Sequence, residues 1–319
     1  MMSETAVGLA ALRVGHRGNA APTVAANDGL ATVFDYERNT FARHFNRSPF
    51  VFRHNLVGHP LFEFPRLMQL ARGQAVHRVR YNAGNLPTNL PAWEKAPQTG
   101  LSMEETIEKI EEHISWMQIR RADYEPDYRT LIHLCLDELA ADINALEPGM
   151  DHREGSVIIS SPSAVTPFHL DHEHNFLLQI RGRKTVSVFP REDRELLPEE
   201  HLEGYFSGKK KFRAVPFDEK FQKRAWEFEL GPGDVLHIPS TSPHWVKNHD
   251  QASVSFSIVF TTPTSRRPGC IHYMNARLRK LGLNPLPVGH SALRDHLKYL
   301  GYHLLQHLAG AERGALFHE

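Results

Sequence analysis

Six short apolar runs occupy residues 156–262: "SVIIS", "NFLLQI", "KTVSVF", "WEFEL", "DVLHIP" and "ASVSFSIVFTT", separated by glycine and proline turns. Many brief β-rich runs of this kind specify an antiparallel sandwich or barrel. Helical texture flanks them on both sides. Upstream, "SPFVFRHNLVG" and "AVHRVRY" read as strands around a helix at "PLFEFPRLMQLAR". Residues 102–119 are predicted to form one helix, opened by a capping box of Ser102 and Glu105 and carrying Met103, Ile107, Ile110, Ile114 and Met117 at helical spacing. A second helix is expected over residues 127–146, stopped by Pro148 and Gly149. After Pro268 the helical pattern returns, and Leu293, Leu297, Leu300, Leu304 and Leu308 form a stripe spaced by three and four. Such a stripe needs a partner surface, either the chain's own barrel or a second copy.

The chain then divides into a loosely ordered leader over residues 1–30, rich in Ala, Gly and Asn, a main domain over residues 31–265, and a C-terminal helical segment over residues 266–319. With 37 basic and 37 acidic residues it has no overall electrostatic preference for nucleic acid or an anionic membrane. The basic run from Lys209 through Lys211 to Arg213 reads as a solvated loop. No apolar stretch approaches the length of a membrane span, and the N-terminus lacks a basic region of the secretory type. Cys135 and Cys270 are too distant in sequence to form a disulfide framework, which points to a reducing, cytoplasmic setting.

Within "TPFHLDHEHNFLLQIRGRK", residues 166–184, three histidines and an aspartate fall within six positions. Residues two apart on a strand project to one side, so His169 and Asp171 can offer an imidazole and a carboxylate to one point. His244, in the loop after "GPGDVLHIPSTSP", is the candidate third ligand. Two histidines and one carboxylate on one face of a metal make the facial triad of non-haem Fe(II) oxygenases, which leaves coordination sites open. The absence of clustered cysteines argues against structural zinc. His172 and His174 are read as supporting or solvent-facing groups, and His237 as a hydrogen-bonded core histidine. Alternation in "KTVSVF" puts Lys184, Val186 and Val188 on one face. If that face is inward, the buried ammonium must lose its proton or meet an anion; if it is outward, Lys184 is merely exposed.

These residues resemble the corresponding segment of the hypoxia-inducible-factor asparaginyl hydroxylase and related Jumonji C (JmjC), cupin-like oxygenases. That family shows Thr-Pro-x-His-x-Asp, an Asn four residues on and Gly-x-Lys at a hairpin, all present here, and a later Gly-to-Pro-to-His-to-Asn signature matched by "GDVLHIPSTSPHWVKN". The likeness runs over about residues 156–262, a third of the chain. It implies an α+β fold with a mainly β core, a double-stranded β-helix (cupin or jelly roll) flanked by N- and C-terminal helices. It implies Fe(II) on His169, Asp171 and His244, and the 2-oxoglutarate 5-carboxylate on Thr166 and Lys184. Asn175 would lie beside that cosubstrate, and dioxygen would be the oxidant. Two positions depart from the pattern: Thr241 stands where a Gly is common, and Val259 where the hydroxylase has an Asn near the cosubstrate. In related hydroxylases the terminal helices often build a dimer.

The expected activity is 2-oxoglutarate-dependent hydroxylation of a C–H bond in a protein or peptide side chain or in a small molecule, with N-methyl demethylation using the same oxidant. The rival reading is a cupin-like protein that binds a metal or metabolite without turnover. Residues 191–224, which join the two motifs, are the candidate specificity segment. Trp93, Trp226 and Trp245 are expected in packing roles more than at the entrance.

Overall fold

A computed structural model describes residues 32–90, 96–209 and 215–308. The expected leader, Trp93 and most of the basic run at 209–213 lie outside these residues.

Twelve described strands form two antiparallel sheets. The larger uses β1 (Phe34–Asp35), β2 (Phe50–His54), β3 (Val79–Ala83), β4 (Ser115–Ile119), β5 (Asp151–Ser160), β7 (His174–Arg181), β10 (Asp234–Ile238) and β12 (Ser253–Thr261), in the order β1-β2-β10-β7-β12-β5-β4-β3. The smaller has β6 (Val165–His169), β8 (Lys184–Val188), β9 (Trp226–Leu230) and β11 (His244–Asn248), in the order β6-β11-β8-β9. The sheets face each other, since Leu177, Leu236 and Ile238 of the larger share one apolar cluster with Val186, Val188, Leu230 and Val246 of the smaller. The outer face of the larger sheet is covered by helices α1 (Arg38–His44), α2 (Phe64–Gly73) and α4 (Pro126–Leu146). Here Phe176, Leu178 and Ile180 pack with Phe41, Leu67, Leu136 and Leu139. Both faces of β7 are therefore buried, which is why "NFLLQI" reads as a continuous apolar run rather than an alternating one.

The predicted helix over residues 102–119 is corrected. The capping box forms, with the Ser102 hydroxyl accepting from Glu105 N–H and the Glu105 carboxylate accepting from Ser102 N–H, but α3 (Met103–Glu108) is short. Residues 115–119 instead form β4, the central link between β3 and β5. Sheet pairing outweighs local propensity here: Met117 and Ile119 enter the helix-facing core by strand parity, while Ile114 is left exposed.

The described parts of the segment joining the two motifs, residues 191–209 and 215–224, are not a loose loop. They include α5 (Glu199–Phe206), and Leu196, Leu197, Leu202, Phe206 and Phe221 make a core with Phe168 and Phe189. This unit leans on α6 (Pro263–Lys280), where a side chain at Gly269 would collide with the Phe206 ring. The C-terminal helical segment thus begins at Pro263, capped by Thr262, with Pro268 inside its first two turns. Helix α7 (Ala292–Leu308) buries Asp295 and Tyr302, yet Leu293, Leu297, Leu300, Leu304 and Leu308 all remain exposed. The leucine stripe does not pack on its own barrel.

The layers are tied by Glu147, next after α4. Its carboxylate accepts hydrogen bonds from Asn46 (2.6 Å) and Thr262 (2.7 Å) and pairs with the His174 ring at 3.1 Å. Burial alone would raise its pKa, but these bonds outweigh it and bring the carboxyl down to about 2. Its stabilising contribution is present above the ordinary glutamate range and is lost as pH falls through that range toward the folded value. Glu147→Ala is expected to lower the unfolding free energy by roughly 2–4 kcal/mol, measured by urea denaturation at neutral pH. The difference from the parent protein should shrink as the buffer is taken toward pH 2.

Candidate metal centre and anion pocket

Strand pairing brings the first site together. His244 opens β11 directly opposite His169, the last residue of β6, and the ring centroids lie 4.2 Å apart. The connecting loop is fixed by Thr241, whose N–H donates to the Asp171 carbonyl at 2.7 Å. Nε2 of His169 and Nε2 of His244 lie 3.9 and 3.8 Å from the same Asp171 oxygen, Oδ2. One ligand atom from each residue falls within 4.8 Å of the others, the only such three-residue group among the described residues.

The protons are also arranged. Nδ1 of His169 donates to the Pro167 carbonyl (2.7 Å) and Nδ1 of His244 to the Ser242 carbonyl (3.0 Å), because a carbonyl can only accept. Each ring in its neutral form must then present a bare Nε2 lone pair toward Asp171. Burial and the neighbouring His169 hold the His244 pKa below the ordinary histidine range, favouring that neutral form. The surroundings of Asp171 work to raise its pKa, but His169, His244 and a hydrogen bond from Asn175 bring it below the usual value. His244 is 4% exposed while Asp171 is 37% exposed, so the group is anchored on one side and open on the other. Two imidazole nitrogens and a carboxylate with an open face fit a divalent transition metal.

The second site lies on the same inner face. Across β11, Val246 faces Thr166 of β6 and Val186 of β8, and Asn248 faces Lys184. Facing partners share a side of the sheet, so Thr166 and Lys184 flank β11 inside the barrel. The inward alternative for Lys184 is the one realised. It is 3% exposed, with no ion pair or hydrogen bond to a described residue, and burial pushes its pKa down to about 7. Gly182 sets this register: its φ of +72° turns the hairpin before β8, and a Cβ there would strike the Ala252 carbonyl.

Asn175 accepts at Oδ1 from the Ser257 hydroxyl (3.0 Å), which leaves its amide to donate to Asp171. Val259 lies opposite Asn175, so the polar contact comes from Ser257, two residues earlier, a position the sequence reading passed over. Thr241 takes the glycine-type conformation, with φ at 62°. The reading of His174 is corrected: it neither faces solvent nor touches the triad, but is fully buried against Glu147 and Phe45. His237 is a core histidine, accepting from the Asn46 N–H at 3.1 Å. Trp245 donates to Gln222 within the insertion, and His172 lies beside Tyr205 of α5 at the open side. Sequence reasoning also missed Trp116, whose indole N–H donates to Thr166 Oγ1 at 3.0 Å. Its mistaken placement on a helix hid it.

A two-sheet antiparallel barrel with the triad at one end and helices around it is a cupin-type architecture. Residues 67–266 match the family model described as "Cupin-like domain", more than half of the chain, and the protein belongs to that family. It is 36% identical over 113 residues to JmjC domain-containing protein D of Dictyostelium discoideum, covering 34% of this chain and 25% of that one. It is 28% identical over 208 residues to HSPB1-associated protein 1 of Bos taurus, covering 56% and 41%. The chain thus spans a quarter to two-fifths of the length of these relatives. Among solved structures, that of the Escherichia coli ribosomal oxygenase YcfD in complex with cobalt and 2-oxoglutarate aligns with a TM-score of 0.45 and 17% identity, over 88% of this chain and 68% of that one.

Lys184 costs the fold stability wherever it is charged. Its folded pKa lies below the unfolded value, so the penalty is full below about pH 7 and fades as pH rises toward the ordinary lysine range. Lys184→Met is therefore expected to stabilise the ligand-free protein by about 1–4 kcal/mol at pH 7. Chemical denaturation at pH 7 and pH 10 checks this, with the smaller gain expected at pH 10.

Proposed function

We propose that this protein is an Fe(II)- and 2-oxoglutarate-dependent dioxygenase that hydroxylates a C–H bond. The observation that carries the reading is the pairing of an open two-histidine, one-carboxylate group with a buried ammonium that has no partner among the described residues, on the same inner face. A binding module has no use for open coordination positions beside an unneutralised lysine. The family membership and the JmjC name of one relative support the same class.

His169, Asp171 and His244 would hold the iron, which when bound supplies the redox centre for activating dioxygen. Lys184 and Thr166 bind the far carboxylate of 2-oxoglutarate and so orient its 2-oxo acid end toward the triad. Asn175 holds the Asp171 carboxylate, and the two backbone carbonyls hold the histidine tautomers. In the overall reaction one oxygen atom of dioxygen enters the substrate as a hydroxyl group and the other enters succinate, with release of CO2.

The favoured substrate class is a protein or peptide side chain, followed by a small molecule. The open side of the triad is bordered by His172 and by Tyr205 of the insertion, a folded wall against which an extended segment can lie. The leucine stripe of α7 is assigned to a homodimer contact. Buried, unpaired Cys135 and Cys270 suit a cytoplasmic location.

Incubation with Fe(II), ascorbate and 2-oxoglutarate is expected to yield succinate, and His244→Ala to cut that yield on the order of a hundredfold or more. No succinate from the wild-type protein would favour the metal-binding regulatory alternative. Since binding an anion requires Lys184 in its charged form, 2-oxoglutarate affinity should weaken as pH rises above about 7, read by calorimetry across pH 6–9. Light scattering is expected to give a dimer for the wild type and a monomer for Leu297→Glu/Leu300→Glu.

A further inference from the structure

We propose that Trp116 is a positioning residue of the anion pocket, its indole N–H orienting the Thr166 hydroxyl so that its hydrogen points away from the ring and is available to the far carboxylate of the cosubstrate. This rests on the function proposed above. The bond from Trp116 Nε1 to Thr166 Oγ1, at 3.0 Å, crosses from β4 of the larger sheet to β6 of the smaller. An indole N–H only donates, so Thr166 receives it through an oxygen lone pair and keeps its single hydroxyl hydrogen for another group.

No other hydrogen bond of that hydroxyl is formed with a described residue. The other polar group flanking β11 on this inner face, Lys184, is a donor as well when charged. Without the indole, the hydroxyl hydrogen is free to turn toward the position the ring N–H now occupies, and the donor is no longer held in one direction. With it, the hydroxyl hydrogen is turned away from the ring, and it and the charged Lys184 both offer donors that a carboxylate can satisfy. The restraint is itself rigid: Trp116 is 4% exposed and is held in register with Ser160 on one side and Asn82 on the other.

The test is calorimetry of 2-oxoglutarate binding to the full chain loaded with Mn(II), without oxygen, for the wild type, Trp116→Phe, Thr166→Val and the double variant. Each single change is expected to weaken binding about tenfold, and the double variant to bind no more weakly than either, because the indole acts only through Thr166. Mn(II) affinity should not move. Should Trp116→Phe fail to fold by circular dichroism, site-specific incorporation of 3-benzothienylalanine at position 116 keeps the ring shape and removes the N–H. Wild-type-like binding by the variant that lacks the N–H, or additive losses in the double variant, overturns the positioning role alone. No 2-oxoglutarate binding by the wild type overturns the proposed function, and this inference with it.

Discussion

Each triad histidine donates its Nδ1 proton to a carbonyl two residues upstream, His169 to Pro167 and His244 to Ser242. Everything chemical in the barrel depends on that pair of bonds, because they leave two Nε2 lone pairs aimed at one carboxylate. Pairing of β6 with β11 sets His169 opposite His244, and the Thr241 N–H on the Asp171 carbonyl ties the loop before β11 to the third member of the group. Thr241 takes a left-handed conformation, uncommon for a β-branched residue, to reach it. Backbone geometry, tautomer and ligand direction are therefore one constraint.

Such a site is bought with stability. A buried ammonium at Lys184 and a strained threonine at position 241 both work against the folded state. They are offset on the opposite face of the larger sheet, where Phe41, Phe176, Leu136 and their neighbours form the main core and Glu147 ties α4, α6 and the β7 strand together. The polar knot at Glu147 and the triad are separated by the thickness of β7: His174 points to the helices while its neighbour Asn175 points to Asp171. Adjacent residues of one strand thus serve stability and chemistry separately.

Much of this was legible from residue order, for a physical reason. His169, Asp171 and Lys184 lie on or beside strands whose period of two fixes which side chains share a face, and that parity held for Lys184, Val186 and Val188. What was not legible depended on partners distant along the chain. The apolar spacing from Met103 to Met117 suits a helix as well as a helix followed by a strand, and only pairing with β3 and β5 decides between them. Trp116 was lost with that strand. His174 was read as a supporting or solvent-facing group because a sequence cannot reveal that a sheet is covered on both faces. The core of the insertion was likewise hidden, since Leu196, Phe206 and Phe221 meet only after the chain doubles back.

The most direct test is diffraction from crystals grown without oxygen in Fe(II) and 2-oxoglutarate, with data collected at the iron absorption edge. One iron peak is expected in contact with His169, Asp171 and His244, with a diacid whose far carboxylate meets Lys184 and Thr166. An iron peak elsewhere, or a diacid whose far carboxylate lies away from Lys184, would contradict it.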